Sequence, residues 1–229
     1  VFLGSEIAKS GDSLEFNSAV YQGVVAKYNC FTDRQYQKIV PRLRKVAADV
    51  LQAVPENTTW GFKLPESIFI LPELRRAFPN ARYIHFLRDP LTTTLRRTHM
   101  TARLDNHIGR ISLPLAYDYL QRSREQLLLD SPALHMAYTT IHQLACVDEH
   151  IKQIKNDDLC EVRYEDVLIN PKQQVDELCR WLKVEPSSQL LVGTIDLERS
   201  NTPKVVYDDE TRLQVMSALK NVRRKYNYL

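Results

Sequence analysis

Hydrophobic residues recur along the chain with two different spacings, one typical of strands and one typical of helices. Short apolar segments rich in β-branched and aromatic residues predict strands at 60–64, 83–87 and 159–164. Apolar residues three, four or seven positions apart predict one buried helix face each. Helices are predicted over 34–54, 66–78, 91–104, 113–129, 134–154, 175–182 and 216–226.

The order of these elements indicates the fold class. Few strands are separated by many helices, and no Asn-Gly hairpin signal joins them, which favours a parallel sheet with helices on both faces. The predicted class is therefore a helix-rich α/β fold. Folds of this kind bind ligands at the carboxyl ends of the strands, so chemistry is expected just after Leu64, Leu87 and Tyr164.

Length and composition limit the remaining possibilities. The 229 residues suit a single domain, 1–229, with 44% hydrophobic and 26% charged residues. No apolar run is long enough for a transmembrane segment, and no signal peptide is evident. The four cysteines lack metal-ligand spacing, so we expect free thiols, no metal and a reducing, cytoplasmic location.

Positive charge is concentrated in one part of the chain. The net charge is only +3, but the segment 75–110 holds eight arginines, no lysine and two aspartates. Arginine suits forked recognition of phosphate or sulfate better than lysine does. Four of the eight, Arg75, Arg76, Arg82 and Arg110, fit exposed surface charges better. Few aromatic residues are interleaved, so we do not expect nucleic-acid binding.

The clearest motif is the segment Y-I-H-F-L-R-D-P at 83–90. It places Arg88 at the end of a strand, Asp89 at a helix cap and Pro90 at the first helical position. A guanidinium beside a helix amino terminus predicts a phosphate site. The alternative is that Arg88 pairs with Asp89 or Glu165 for structural reasons alone.

The residues after this motif extend the basic character. Thr92, Arg96, His99 and Arg103 recur at helical spacing and predict one polar, basic helix face. This face would lie beside Arg88 and add further ligands for an anion.

At this point three motifs resemble those of one family, the PAPS-dependent sulfotransferases, where PAPS is 3′-phosphoadenosine 5′-phosphosulfate. The R-D-P segment is similar to the family's 3′-phosphate-binding element. The segment W-G-F-K-L-P-E at 60–66 resembles a strand found in many bacterial members, and V-R-Y-E-D at 162–166 resembles the family's R-Y-E-D element. All three occur in the family's order.

The resemblance implies a fold related to P-loop nucleotide-binding proteins and a sulfuryl transfer from PAPS to a hydroxyl, leaving 3′,5′-adenosine bisphosphate (PAP). It implies no metal. The acceptor would be a carbohydrate, a lipid or another small metabolite. The alternatives are a non-catalytic anion- or polysaccharide-binding protein of the same fold and a P-loop-type nucleotide kinase.

The sequence departs from the family in two places. Arg96 stands where a second 3′-phosphate ligand is usually serine, with Thr92 or Thr98 offering a hydroxyl nearby. The P-R-S-G-T-T loop that would hold the 5′-phosphosulfate is missing, which we interpret as truncation or disorder at the amino terminus. The alternative is a degenerate loop at 9–14, which Asp12 disfavours because its carboxylate would repel a phosphate.

The resemblance also suggests catalytic roles. Lys63 is the candidate cation for the sulfuryl or bridging oxygen, although an exposed strand-end lysine is equally common. Cytosolic relatives place a histidine two residues later, where this chain has Pro65. The predicted general base is therefore Glu6, by analogy with bacterial relatives, with Glu66 and His99 as reserves.

Two further residues are assigned to the cofactor by resemblance. Tyr164 is expected to contact the adenosine part, with a core tyrosine as the alternative. Arg199 is expected to close the 3′-phosphate site from a late loop, with a solvated loop charge as the alternative. The acceptor pocket is expected near 103–115 and 134–142. Four residues are candidates for the lining of this pocket, with the hydrophobic core as the alternative place for each: Tyr117, Tyr119, His135 and Tyr138.

Overall fold

A computed structural model describes residues 13–29, 32–52, 59–185 and 205–229. Two parallel strands, β1 (Tyr83–Leu87) and β2 (Leu159–Arg163), form the sheet in this part of the chain. They pair in register from Tyr83 opposite Leu159 to Leu87 opposite Arg163. The helix-rich α/β class, the parallel sheet and these two strands are confirmed. Tyr164, predicted to end the second strand, instead begins a helix.

The described ranges contain eleven α-helices and three short 3-10 helices. The α-helices are α1 (Leu14–Tyr28), α2 (Asp33–Gln37), α3 (Ile39–Leu51), α4 (Leu71–Ala77), α5 (Pro90–Arg96), α6 (Gly109–Tyr119), α7 (Arg124–Leu129), α8 (Pro132–Ile151), α9 (Tyr164–Ile169), α10 (Pro171–Leu182) and α11 (Asp209–Lys225). The 3-10 helices are Pro65–Ile70, Met100–Ala102 and Asn156–Asp158.

One hydrophobic cluster is built around α1, which the pattern analysis did not predict. Phe16, Val20 and Val24 form a fully buried stripe along this helix. The stripe belongs to the same cluster as Leu43 of α3 and Phe69 of the Pro65–Ile70 helix. Residues four apart lie on the same helix face, so α1 contributes one continuous apolar side to this core.

A buried polar cluster holds α1 against α4. Glu73 is 1% exposed, and its carboxylate accepts hydrogen bonds from Lys27 Nζ at 3.1 Å and from Tyr36 Oη at 2.6 Å. Lys27 also donates to the carbonyl of Phe69 at 3.0 Å. Buried charges are tolerated when they are paired and hydrogen-bonded in this way.

A second hydrophobic cluster joins α6, α8 and α11. Leu113, Tyr117 and Ala137 are completely buried there together with Val215 and Leu219. The carboxy-terminal helix is thus an integral part of the core.

The structure corrects several predicted elements. The helix predicted over 34–54 is two helices, α2 and α3, separated at Lys38, and the helix predicted over 66–78 begins as the 3-10 helix Pro65–Ile70. The predicted strand at 60–64 is not a strand; within this segment only Gly61 makes an isolated bridge. The helix predicted over 91–104 ends at Arg96, because Arg97 is extended with φ −171° and ψ 154°. The helix predicted over 113–129 is two helices, separated at Gln121, which has a left-handed φ of 55°.

Three cysteines in the described ranges, Cys146, Cys160 and Cys179, are unpaired. None of the helices described combines the length and apolarity needed to cross a bilayer. No group of three or more acidic, histidine or cysteine side chains in these ranges is arranged to hold a metal ion.

Candidate functional site

The carboxyl ends of the two strands bring Arg88 and Tyr164 together. Leu87 and Arg163 are register partners, so the residue after each strand lies at the same edge of the sheet. The guanidinium of Arg88 lies over the ring of Tyr164, 4.4 Å from its centroid. Such a cation–π contact is attractive because the positive guanidinium faces the negative face of the ring. The tyrosine assigned to the cofactor by resemblance and the arginine assigned to its phosphate are therefore neighbours.

The carboxylates that follow Arg88 and Tyr164 in sequence bind the carboxy-terminal segment. Asp89 forms an ion pair with Arg223 of α11, and Glu165 accepts a hydrogen bond from Tyr228 Oη at 3.0 Å. Glu165 also accepts from the backbone amide of Asp89 at 2.9 Å. Each of these two carboxylates therefore has its own hydrogen-bond donors, and both lie next to the strand ends.

The amino terminus of α5 is occupied by its own cap. The Asp89 carboxylate accepts from the Leu91 amide at 3.0 Å, as the sequence predicted, and Pro90 has no N–H to offer. A capping carboxylate also brings negative charge to the point where a phosphate was expected. The helix end therefore offers no free amide from Pro90 or Leu91 for an anion.

The predicted basic face beyond Arg88 is only partly formed. Thr92 and Arg96 lie on α5, where the Thr92 hydroxyl donates to Asp89 Oδ2 at 3.4 Å. His99 and Arg103 lie beyond the end of the helix, so the prediction that they continue this face is wrong. Arg103 pairs instead with Asp105 at the surface.

Glu66 is a buried carboxylate close to an exposed lysine. Lys63 is exposed, whereas Glu66 is 2% exposed on the 3-10 helix that follows it. Its Oε2 atom is buried and has no hydrogen-bond partner. Burial raises the pKa of Glu66, and its own backbone amide and the charge of Lys63 oppose the increase only in part.

His99 caps the Met100–Ala102 helix with its ring. Nδ1 accepts a hydrogen bond from the Thr101 amide at 3.3 Å and lies 2.9 Å from the Thr101 hydroxyl. Burial lowers the pKa of His99, and the charges of Arg97 and Lys63 lower it further. The charge of Lys63 thus acts to lower the pKa of both Glu66 and His99.

Two predicted site residues, Glu6 and Arg199, lie outside the described residues. Of the candidates for the acceptor pocket, Tyr117 is completely buried and donates to Asp130 at 2.7 Å. His135 Nε2 lies 2.8 Å from the carbonyl of Leu127. Tyr117 and the 6% exposed Tyr138 belong to the core, His135 is partly buried, and Tyr119 is 54% exposed.

Arg223 and Tyr228 were not predicted as part of this region. They lie 134 and 63 residues from their partners Asp89 and Glu165. Nothing in their local sequence distinguishes them from the other basic and aromatic residues in 223–228. The sequence does show that Asp89 follows Arg88 and that Glu165 follows Tyr164. These two carboxylates need hydrogen-bond donors, and a search for such donors could have led to Arg223 and Tyr228.

A search among curated proteins finds no match. One solved structure that matches is the "Sulfotransferase Domain from the Curacin Biosynthetic Pathway", with 13% identity and a TM-score of 0.47 over 87% of this chain and 77% of that chain. The sequence profile described as "Sulfotransferase family" matches residues 20–188, more than half of the chain. The chain therefore belongs to the sulfotransferase family.

Proposed function

We propose that this protein transfers a sulfuryl group from PAPS to a hydroxyl acceptor and releases PAP. The observation that carries the proposal is the Arg88 guanidinium, stacked on Tyr164 at the joined carboxyl ends of the two parallel strands. This is the edge at which α/β proteins bind their ligands. Family membership supplies the reaction class.

The residues at this edge suit an adenosine bisphosphate. The planar guanidinium of arginine can donate two parallel hydrogen bonds to a phosphate, and we assign Arg88 as the ligand for the 3′-phosphate. Arg96 and Thr92, both on α5, are the candidates for the second contact. Tyr164 presents an aromatic ring beside Arg88, as contact with the adenosine part requires.

The reactive end is assigned to Lys63. PAPS, when bound, supplies the activated sulfuryl group and a phosphate leaving group. Sulfuryl transfer resembles phosphoryl transfer in that the protein mainly aligns the reactants and stabilises charge on the oxygens. The exposed ammonium of Lys63 can do so without a metal. The candidates for the general base that takes the proton of the acceptor hydroxyl are Glu6, Glu66 and His99.

Nucleotide selectivity tests this proposal against the two alternatives. Isothermal titration should show that PAP binds and that adenosine 5′-phosphate, which lacks the 3′-phosphate, binds at least about 10-fold more weakly. A kinase would instead prefer ATP with magnesium. A non-catalytic binding protein would bind PAP without forming it from PAPS, and a chain that binds none of these nucleotides would contradict the proposal.

The acceptor class stays a prediction. A hydroxyl of a carbohydrate, a lipid or a small metabolite suits the same chemistry, because only the oxygen nucleophile takes part in it. Screening hydroxyl compounds for PAP release from PAPS is the direct way to identify it.

A further inference from the structure

Four residues next to the strand ends are joined in a closed ring of hydrogen bonds. The backbone amide of Asp89 donates to Oε1 of Glu165 at 2.9 Å, and the hydroxyl of Tyr228 donates to Oε2 of the same carboxylate at 3.0 Å. Arg223 closes the ring, because its guanidinium donates to the carbonyl of Tyr228 at 3.1 Å and to both carboxylate oxygens of Asp89. The ring therefore connects the segment after β1, the segment after β2 and the carboxy-terminal segment.

Glu165 links the two segments that carry Arg88 and Tyr164. It follows Tyr164 directly in the chain, and its Oε1 binds the amide of the peptide unit that joins Arg88 to Asp89. Each of the two candidate cofactor residues is thus one residue away from the same hydrogen bond. The position of the Glu165 carboxylate therefore influences how the Arg88 guanidinium lies over the Tyr164 ring, 4.4 Å from its centroid.

Tyr228 is itself held in place from two sides. The guanidinium of Arg163, the last residue of β2, faces the Tyr228 ring 4.8 Å from its centroid, and Arg223 binds the Tyr228 carbonyl. Burial raises the pKa of Tyr228, and the charge of Glu165 and the hydrogen bond to it raise the pKa further. The Tyr228 hydroxyl therefore keeps its proton and remains a donor wherever Glu165 is ionised.

We propose that Tyr228, acting through Glu165, is a positioning residue of the 3′-phosphate site. This inference rests on the proposed function, in which Arg88 binds the 3′-phosphate and Tyr164 contacts the adenosine part. The Tyr228 hydroxyl holds the Glu165 carboxylate in the orientation that keeps these two side chains together. Such preorganisation raises affinity, because the ligand does not have to order the side chains when it binds.

The negative charge of Glu165 separates a positioning role from simple electrostatics. A carboxylate near an anion site repels a phosphate, so charge alone predicts that its removal strengthens PAP binding. The positioning role predicts the opposite for Glu165→Ala, which removes both hydrogen bonds and should bind PAP about 10-fold more weakly. Glu165→Gln can still accept from the Asp89 amide and can donate to the Tyr228 hydroxyl, so its PAP affinity should stay within about three-fold of the wild type.

Two tyrosines of the same segment provide a matched pair of variants. Tyr226 donates its hydroxyl to Asp148 at 2.5 Å, so Tyr226→Phe and Tyr228→Phe each remove one hydrogen bond to a carboxylate and keep the ring. Isothermal titration should show that Tyr228→Phe binds PAP about 10-fold more weakly, whereas its affinity for adenosine 5′-phosphate, which lacks the 3′-phosphate, changes by no more than about two-fold. Tyr226→Phe should keep the wild-type ratio of the two affinities. Urea denaturation measures how much stability each variant loses.

The outcomes separate this inference from the proposed function. An unchanged affinity ratio in Tyr228→Phe, an equal change in both phenylalanine variants, or tighter PAP binding by Glu165→Ala would each overturn the positioning role. If the wild-type protein binds no PAP, the proposed function fails and the positioning role fails with it. If Arg88→Ala weakens PAP binding but Tyr228→Phe does not, the proposed function stands and only the role of Tyr228 is wrong.

Discussion

The guanidinium of Arg223 binds the carboxylate of Asp89 through two hydrogen bonds, from Nε to Oδ1 at 2.9 Å and from Nη2 to Oδ2 at 3.1 Å. Both side chains are 15% exposed. Arg223 also donates to the carbonyl of Tyr228 at 3.1 Å, and Tyr228 donates to Glu165. The last helix and the segment that follows it therefore hold the two acidic residues that come after Arg88 and Tyr164 at the strand ends.

Arg223→Ala should lower the free energy of unfolding by about 2 to 4 kcal/mol, because it leaves the Asp89 carboxylate largely buried without its partner. Urea denaturation followed by circular dichroism measures this change. Arg212, exposed on the same helix, provides the control: Arg212→Ala should change the free energy of unfolding by no more than about 0.5 kcal/mol. Equal effects of the two substitutions would show that the Asp89 contact contributes no stability.

Lys27→Met should be destabilising by about 2 to 4 kcal/mol, since it removes the cation that neutralises the buried Glu73. Lys45→Met is the matched control, because Lys45 pairs with Asp49 at 3.5 Å on the exposed surface of α3. Exposed pairs of this kind contribute about 0 to 1 kcal/mol. Urea midpoints of both variants test the difference, and a Lys27 variant as stable as the Lys45 variant would contradict it.

The stability of the protein should fall as the pH drops below about 6.5. Burial lowers the pKa of four histidines in the described ranges, His85, His99, His142 and His150. Between the lowered native pKa and the unfolded value, the unfolded state binds more protons, so acid favours unfolding. His142→Gln should lose less stability than the wild type between pH 7.5 and 5.5, as measured by urea denaturation. Substitution of the exposed His107 should leave the slope unchanged.

The sequence was sufficient to predict the two strands, because short segments rich in β-branched and aromatic residues precede Arg-Asp-Pro and Tyr-Glu-Asp; the end of the second strand was placed one residue too late, at Tyr164. The strand predicted at 60–64 failed for a physical reason. Trp60, Phe62 and Leu64 alternate as a strand would, but their side chains cover the hydrophobic cluster around α1 instead of joining the sheet. Alternation alone does not identify the surface on which a segment lies.

Helix ends were harder to predict than helices. Arg97 adopts an extended conformation although Thr92, Arg96, His99 and Arg103 keep helical spacing across it. The stripe of Phe16, Val20 and Val24 did contain the signal for α1, but the pattern analysis did not use it.

The candidate site was predictable where a motif carried it. Arg88 and Tyr164 follow directly from the strand ends and the family resemblance. The contrast between Glu66 and Glu73 was not predictable, since each is a glutamate in an amphipathic segment. Their different environments depend on Lys27 and Tyr36, which are brought to Glu73 by the tertiary fold.

The most direct test of the proposed function is isothermal titration of PAP against the wild-type protein and Arg88→Ala. Loss of the guanidinium should weaken PAP binding by about 2 to 4 kcal/mol, because an anionic group would then be left without its cation. Arg110→Ala serves as the control, since Arg110 is exposed and donates to the carbonyl of Leu104. The proposed site predicts that Arg110→Ala binds PAP like the wild type. An Arg88→Ala protein with undiminished PAP affinity would contradict it.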